Sequence, residues 1–192
     1  ACHVGRPDQL ENLVRETEAR LGPIDVLVNN SATNVGQGPA LDVTDEMLDK
    51  MVEVNVKSAL RLVRLTVPRM IERGRGKVIV IASVQSELAR PGIAPYSASK
   101  GAVRMLVKGM CADLATAGIC VNAIAPGYFA TELTSALVAD EDFTSWVQAR
   151  TPAGRWGRVE DLTGTLLWLA SPASDFVNGQ TIFVDGGMTA VL

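Results

Sequence analysis

Short β-branched apolar runs alternate with longer stretches of helical spacing through the whole chain, and this alternation limits the fold more than any other feature. Ala1–Val4 reads as a short strand ended by Gly5-Arg6-Pro7. Asp8 is the expected N-cap of a helix in which Leu10, Leu13, Val14, Thr17 and Leu21 recur, stopped by Gly22-Pro23. Ile24–Val28, closed by Asn29-Asn30, reads as a buried parallel strand. A loop over 31–42 leads to Thr44, the N-cap of a long helix running toward Met70 and Gly74. Lys77–Ala82 is the next strand, and a loop over 83–95 precedes a helix from Tyr96 to Gly118. Ile119–Ile124 is another strand. Residues 131–157 read as two short helices with Trp146 and Trp156 on apolar faces. A helix from Val159 through Leu169 and a strand over Thr181–Asp185 complete the order. Strand and helix in strict alternation predict an α/β, Rossmann-like doubly wound parallel sheet with helices on both faces, one domain over 1–192. Ligands of such sheets bind beyond the carboxyl ends of the strands. Asn29, Asn30, Ser83, Pro126 and Gly127 fall at those ends.

Composition removes several function classes. The net charge is -3 with no basic stripe, which argues against nucleic acid as a partner. No apolar run is long enough for a membrane-spanning helix. Three scattered cysteines, Cys2, Cys111 and Cys120, point to reduced thiols in a cytoplasmic compartment, with Cys111 and Cys120 as small core residues. With one histidine, His3, neither a histidine-based triad nor a metal site is expected.

The chemistry concentrates in Tyr96-Ser-Ala-Ser-Lys100. On a helix, residues four apart share a face. An ammonium held beside a phenol favours its ionised form, so Tyr96 is expected to become acidic enough for proton exchange with a carbonyl or alcohol. A tyrosine and a lysine at this spacing are common in helices, so the reading depends on the rest of the chain.

The rest of the chain resembles the short-chain dehydrogenase/reductase family from Cys2 to Gly187. Asn29-Asn-Ser-Ala32 is similar to its Asn-Asn-Ala-Gly signature, with Ser31 and Ala32 as departures. Asn55 stands where the family has a catalytic asparagine. Ser83 lies thirteen residues before Tyr96, Pro126-Gly127 with Thr131 resembles the nicotinamide-side loop, and Asp185-Gly-Gly187 the end of the last strand. The opening residues are faintly similar to the carbonyl/retinol reductase branch. The resemblance implies an oxidoreductase that uses NAD or NADP to interconvert an alcohol and a carbonyl. Tyr96 would be the proton donor and acceptor. Lys100 would lower its pKa and bond the nicotinamide ribose, Ser83 would polarise the carbonyl, and Asn55 would distort its helix and hold a water toward Lys100. Val4, Asn29, Pro126, Gly127 and Thr131 would contact the cofactor. A small-molecule alcohol or carbonyl substrate and a homodimer or homotetramer are implied, with no metal.

Each position also has a plainer use. Asn55 could be an internal hydrogen-bond bridge, Ser83 a turn cap with Ser86 as its rival, Thr131 an N-cap, Val4 core, and Asp185 structural. The family's glycine-rich phosphate loop is absent from the sequence, which suggests that an N-terminal part of a longer protein, with the first strand–helix units, precedes Ala1. The same absence leaves open a non-catalytic subunit that keeps the fold for assembly. Leu133, Leu137, Phe143 and Trp146 suggest an apolar lid over the pocket.

Overall fold

A computed structural model describes residues 1–191. Helix α1 (Pro7–Leu21) leads to strand β1 (Val26–Asn29). Helices α2 (Asp45–Met51) and α3 (Ser58–Glu72) are joined by a π-helical segment over Val52–Lys57 and lead to β2 (Gly76–Ile81). The pattern continues through α4 (Ala94–Leu114), β3 (Ile119–Pro126), α5 (Ser135–Ala139), α6 (Glu141–Arg150), α7 (Glu160–Ala170) and β4 (Thr181–Val184). The four strands are parallel, in the order β1-β2-β3-β4.

Both faces of the sheet are covered, as the continuous apolar runs require. Val78 and Val80 of β2 and Val121, Ala123 and Ala125 of β3 point to one side, where they pack with Ala59, Val63, Val67, Val103 and Val107 of α3 and α4. The alternate residues Ile79 and Ile124 point to the other side, against Leu169 of α7. Two glycines permit close approaches. Gly118, with φ 79°, brings the turn before β3 so near the end of α3 that a Cβ would lie 2.1 Å from the Gly74 carbonyl oxygen. At Gly127 a Cβ would lie 2.8 Å from that of Asp185, so the bare backbone lets the ends of β3 and β4 converge.

Several expectations need correction. Ala1–Val4 is not a strand, because among the described residues no strand lies beside it to complete a ladder; Val4 sits in a turn, half-buried beside Leu10 and Val14. Helix α1 begins at Pro7 with Arg6 as N-cap, and Asp8 lies inside its first turn. Proline is pre-organised for the first helical position, where no N–H is needed. Strand β1 is not buried. Among the described residues it pairs on one side only, and Val26 and Val28 keep 36% and 40% of their surface exposed. Helix α4 starts two residues before Tyr96, again on a proline in its first turn, Pro95. Cys111 is half-buried rather than core, while Cys120 is buried. Trp156 follows α6 instead of lying on it, and Trp146 is substantially exposed.

Candidate active site

The carboxyl ends of β1, β2 and β3 open onto one cavity of about 430 Å³. Its walls include Thr33 from the loop after β1, Ser83 and Gln85 after β2, Tyr96 in the first turn of α4, and Gly127 and Tyr128 after β3. The parallel topology brings together segments that are far apart in sequence.

Ser83 follows β2 with extended backbone and caps a short turn over Val84–Ser86. Its Oγ accepts the Gln85 N–H at 3.1 Å. That occupies an acceptor site and leaves the hydroxyl proton free to face the cavity. Ser86 donates its hydroxyl to the Ser83 carbonyl at 2.7 Å and does not line the cavity, so the choice between the two serines falls on Ser83.

Lys100 lies one turn below Tyr96 and is almost sealed, at 2% exposure. Its ammonium sits over the Tyr96 ring, 5.8 Å from the centroid, and donates to the Ile81 carbonyl at 2.8 Å. The ammonium therefore backs the ring from inside the protein and does not reach the cavity. Burial lowers its pKa to about 8. The expected acid phenol is not found. Burial raises the Tyr96 pKa, and the opposing effect of the nearby Ser83 hydroxyl is smaller. Loss of water around the phenol is the largest cause, and the neighbouring Tyr128 adds to it.

Asn55 lies inside the π-helical segment, so its helix is indeed distorted. Such wide turns occur frequently at functional sites. Its Oδ1 accepts the Thr33 N–H at 2.7 Å, while Nδ2 donates to the Thr33 carbonyl and the Ser99 hydroxyl, both at 2.9 Å. Ser99 stands between Tyr96 and Lys100, so one side chain ties the β1 loop to the helix that carries both. With its polar atoms so engaged, the side chain of Asn55 is a bridge.

The cofactor positions divide. Gly127 lines the cavity, but Pro126 belongs to the β3–β4 ladder and Thr131 exchanges hydrogen bonds with Thr134 in a capping box. Neither Pro126 nor Thr131 lines the cavity. Asp185 is structural, accepting the Gly187 and Thr189 N–H groups and the Thr189 hydroxyl. A second cavity of about 350 Å³, walled by His3, Val4, Ser31 and Lys50, shares Ala32 and Thr33 with the first. Asn29 is buried at the end of β1, its Nδ2 directed to Ser58 at 3.4 Å and its Oδ1 without a partner. The adjoining cavities and this orphaned acceptor fit the two ends of a dinucleotide. Among the described residues no glycine-rich turn runs from a strand straight into a helix to hold its pyrophosphate.

The lid is partly as expected. Leu133 and Leu137 line the cavity, whereas Phe143 and Trp146 pack behind it, edge-on to Tyr128 with ring centroids 5.6 Å away. Gln85, Arg90 and Tyr128 are wall residues that sequence reasoning missed, and no spacing or periodicity marks them.

Residues 1–189 match the family model described as enoyl-(acyl carrier protein) reductase. Gluconate 5-dehydrogenase of Gluconobacter oxydans (strain 621H) is 51% identical over 179 residues, covering 93% of this chain and 70% of the relative. The chain belongs to the short-chain dehydrogenase/reductase family. A second relative, 5-keto-D-gluconate 5-reductase of Escherichia coli (strain K12), is 50% identical over 187 residues, covering 97% of this chain and 73% of the relative. The crystal structure of a gluconate 5-dehydrogenase from Burkholderia cenocepacia J2315 in complex with NADP and tartrate superposes with a TM-score of 0.94. It is 52% identical, over 98% of this chain and 74% of that one. As a short-chain dehydrogenase/reductase, the protein is an NAD(P)-dependent oxidoreductase that interconverts an alcohol and a carbonyl.

Proposed function

We propose that this dehydrogenase/reductase acts on a sugar acid, reducing a keto group of the 5-ketogluconate class to the alcohol and catalysing the reverse. The observation that carries the reading is the convergence of Ser83 and Tyr96 on one cavity, with Lys100 buried behind the tyrosine. Relatives at about half identity whose names specify gluconate or 5-ketogluconate support the substrate class, as does the solved structure holding tartrate, itself a hydroxy acid.

The bound cofactor supplies the hydride. Gly127 and Thr33 would flank its nicotinamide end, and Val4 and Asn29 its adenosine side. Tyr96 stays protonated through neutral pH because burial raises its pKa, so it is ready to give a proton to the carbonyl oxygen. Ser83, whose oxygen already accepts from Gln85, turns its own proton to that oxygen and stabilises the developing charge. Lys100, with a pKa of about 8, carries its positive charge behind the ring at neutral pH and so supports the phenolate left behind. Asn55 holds Thr33 and Ser99 in place. The single sheet supports one domain, and free thiols at Cys2, Cys111 and Cys120 fit the cytoplasm.

Absorbance of reduced nicotinamide tests the substrate. The full-length protein is expected to oxidise NADPH or NADH when 5-keto-D-gluconate is added, and to reduce the oxidised cofactor with D-gluconate. Turnover of simple ketones with none of either sugar acid would overturn the sugar-acid reading.

A further inference from the structure

The cavity has a charge asymmetry that the reaction itself does not need. Among its lining residues Arg90 is the one charged side chain, and no carboxylate faces it. Glu87, three residues earlier on the same loop, is paired with Arg104 on α4 and is not available as a counter-ion. Arg90 donates to the Pro91 carbonyl at 3.4 Å, a long contact, and lies over the Phe143 ring with its Cζ 5.9 Å from the centroid. Its guanidinium also faces the Tyr128 hydroxyl. None of these three neighbours carries a formal negative charge.

Gln85 is an independent second observation. It keeps only 8% of its surface exposed, and its Oε1 has no hydrogen-bond partner, while Nε2 reaches toward the Tyr128 hydroxyl at 3.5 Å. A buried amide oxygen left unpaired costs free energy unless a ligand donates to it. An unpaired acceptor and an unpaired cation on one wall call for a ligand that carries both a hydroxyl and an anion.

We infer that Arg90 binds the substrate carboxylate and Gln85 accepts a hydroxyl of the same molecule, so that this wall sets the specificity for polyhydroxy acids. This rests on the sugar-acid reading of the same site and adds the residues that enforce it. The planar guanidinium suits a carboxylate because two parallel N–H donors match two oxygens. Phe143 and Tyr128 hold the guanidinium in place. Arg90 takes no proton and touches no reacting atom, so its effect belongs in binding, not in the chemical step.

The test compares D-gluconate with its neutral isostere D-gluconamide on the full-length protein. Binding is followed by the fluorescence of Trp146 and Trp156, which pack around Tyr128. The wild type is expected to bind the acid about 10- to 100-fold more tightly than the amide, the size of one hydrogen-bonded charge contact. Arg90→Gln is expected to erase that difference, and Arg90→Lys to restore part of it. In turnover, Arg90→Gln raises KM for 5-keto-D-gluconate by the same factor and leaves kcat and the KM for NADPH within about threefold. An unaltered acid-over-amide preference in Arg90→Gln, or equal losses for acid and amide, would overturn the assignment and leave Arg90 a prop for the aromatic cluster. If the wild type reduces no sugar acid but binds gluconate in an Arg90-dependent way, the substrate reading falls and the anion site stands.

Discussion

Lys100 carries the sharpest energetic consequence of any single side chain here. Desolvation lowers its pKa from 10.5 to about 8. An unfolded chain therefore binds more protons than the folded one between those values, and stability rises with pH across that window. Keeping the ammonium buried below pH 8 costs about 3 kcal/mol, less what the Ile81 carbonyl and the Tyr96 ring return. Lys100→Met is expected to lose activity yet match or exceed the wild type in stability at pH 7. That advantage should shrink by about 3 kcal/mol as pH rises from 7.5 to 10.5, read by urea unfolding across the range. A stability difference that ignores pH would show that the ammonium is not desolvated. The sequence made the Tyr96–Lys100 pairing plain through spacing alone. It gave the wrong sign for the phenol because burial of both groups is set by the fold around them, and that leaves no local trace in the spacing.

The elements explain why the site is rigid where it is. The π-helical segment over Val52–Lys57 places Asn55 between the loop after β1 and the helix α4. Asn55→Ala removes three hydrogen bonds and orphans Thr33 and Ser99 partners, a loss of about 3 kcal/mol. Urea unfolding is expected to show it, and a loss below 1 kcal/mol would mean that the loop and α4 are held by other contacts. Strand–helix alternation and turn residues made most elements legible, with boundaries shifted by a residue or two. Two failures share a cause. Ala1–Val4 and Ile24–Val28 both carry strand-like composition, but burial and pairing depend on neighbouring strands, and a run of β-branched residues reads alike at an edge and at a centre. The wall formed by Gln85, Arg90 and Tyr128 was illegible for another reason: its residues come from two loops without periodicity, and only the sheet's topology joins them.

At the scale of the molecule, helices on both faces bury the central strands β2 and β3 and leave large apolar groups outside. Met105 on α4, Leu167 and Trp168 on α7, and the fully exposed Phe176 beyond it lie on the surface. Where exposed apolar side chains join into one patch they mark protein–protein contacts. The full-length protein is expected to run as a dimer or tetramer in light scattering, with Leu167→Glu shifting it to a smaller species; a wild-type monomer would contradict this. No helix among the described residues is long and apolar enough to cross a membrane.

The proposed reaction turns on one event, the passage of a proton between the Tyr96 hydroxyl and the oxygen of a bound carbonyl. The direct test is Tyr96→Phe in the full-length protein, which removes one oxygen atom and preserves the ring over which the Lys100 ammonium lies. Single-turnover reduction of 5-keto-D-gluconate is expected to slow by about 100- to 10,000-fold while gluconate still quenches tryptophan fluorescence with nearly wild-type affinity. A variant that reduces its substrate within tenfold of the wild-type rate would contradict the assignment of Tyr96 as the acid.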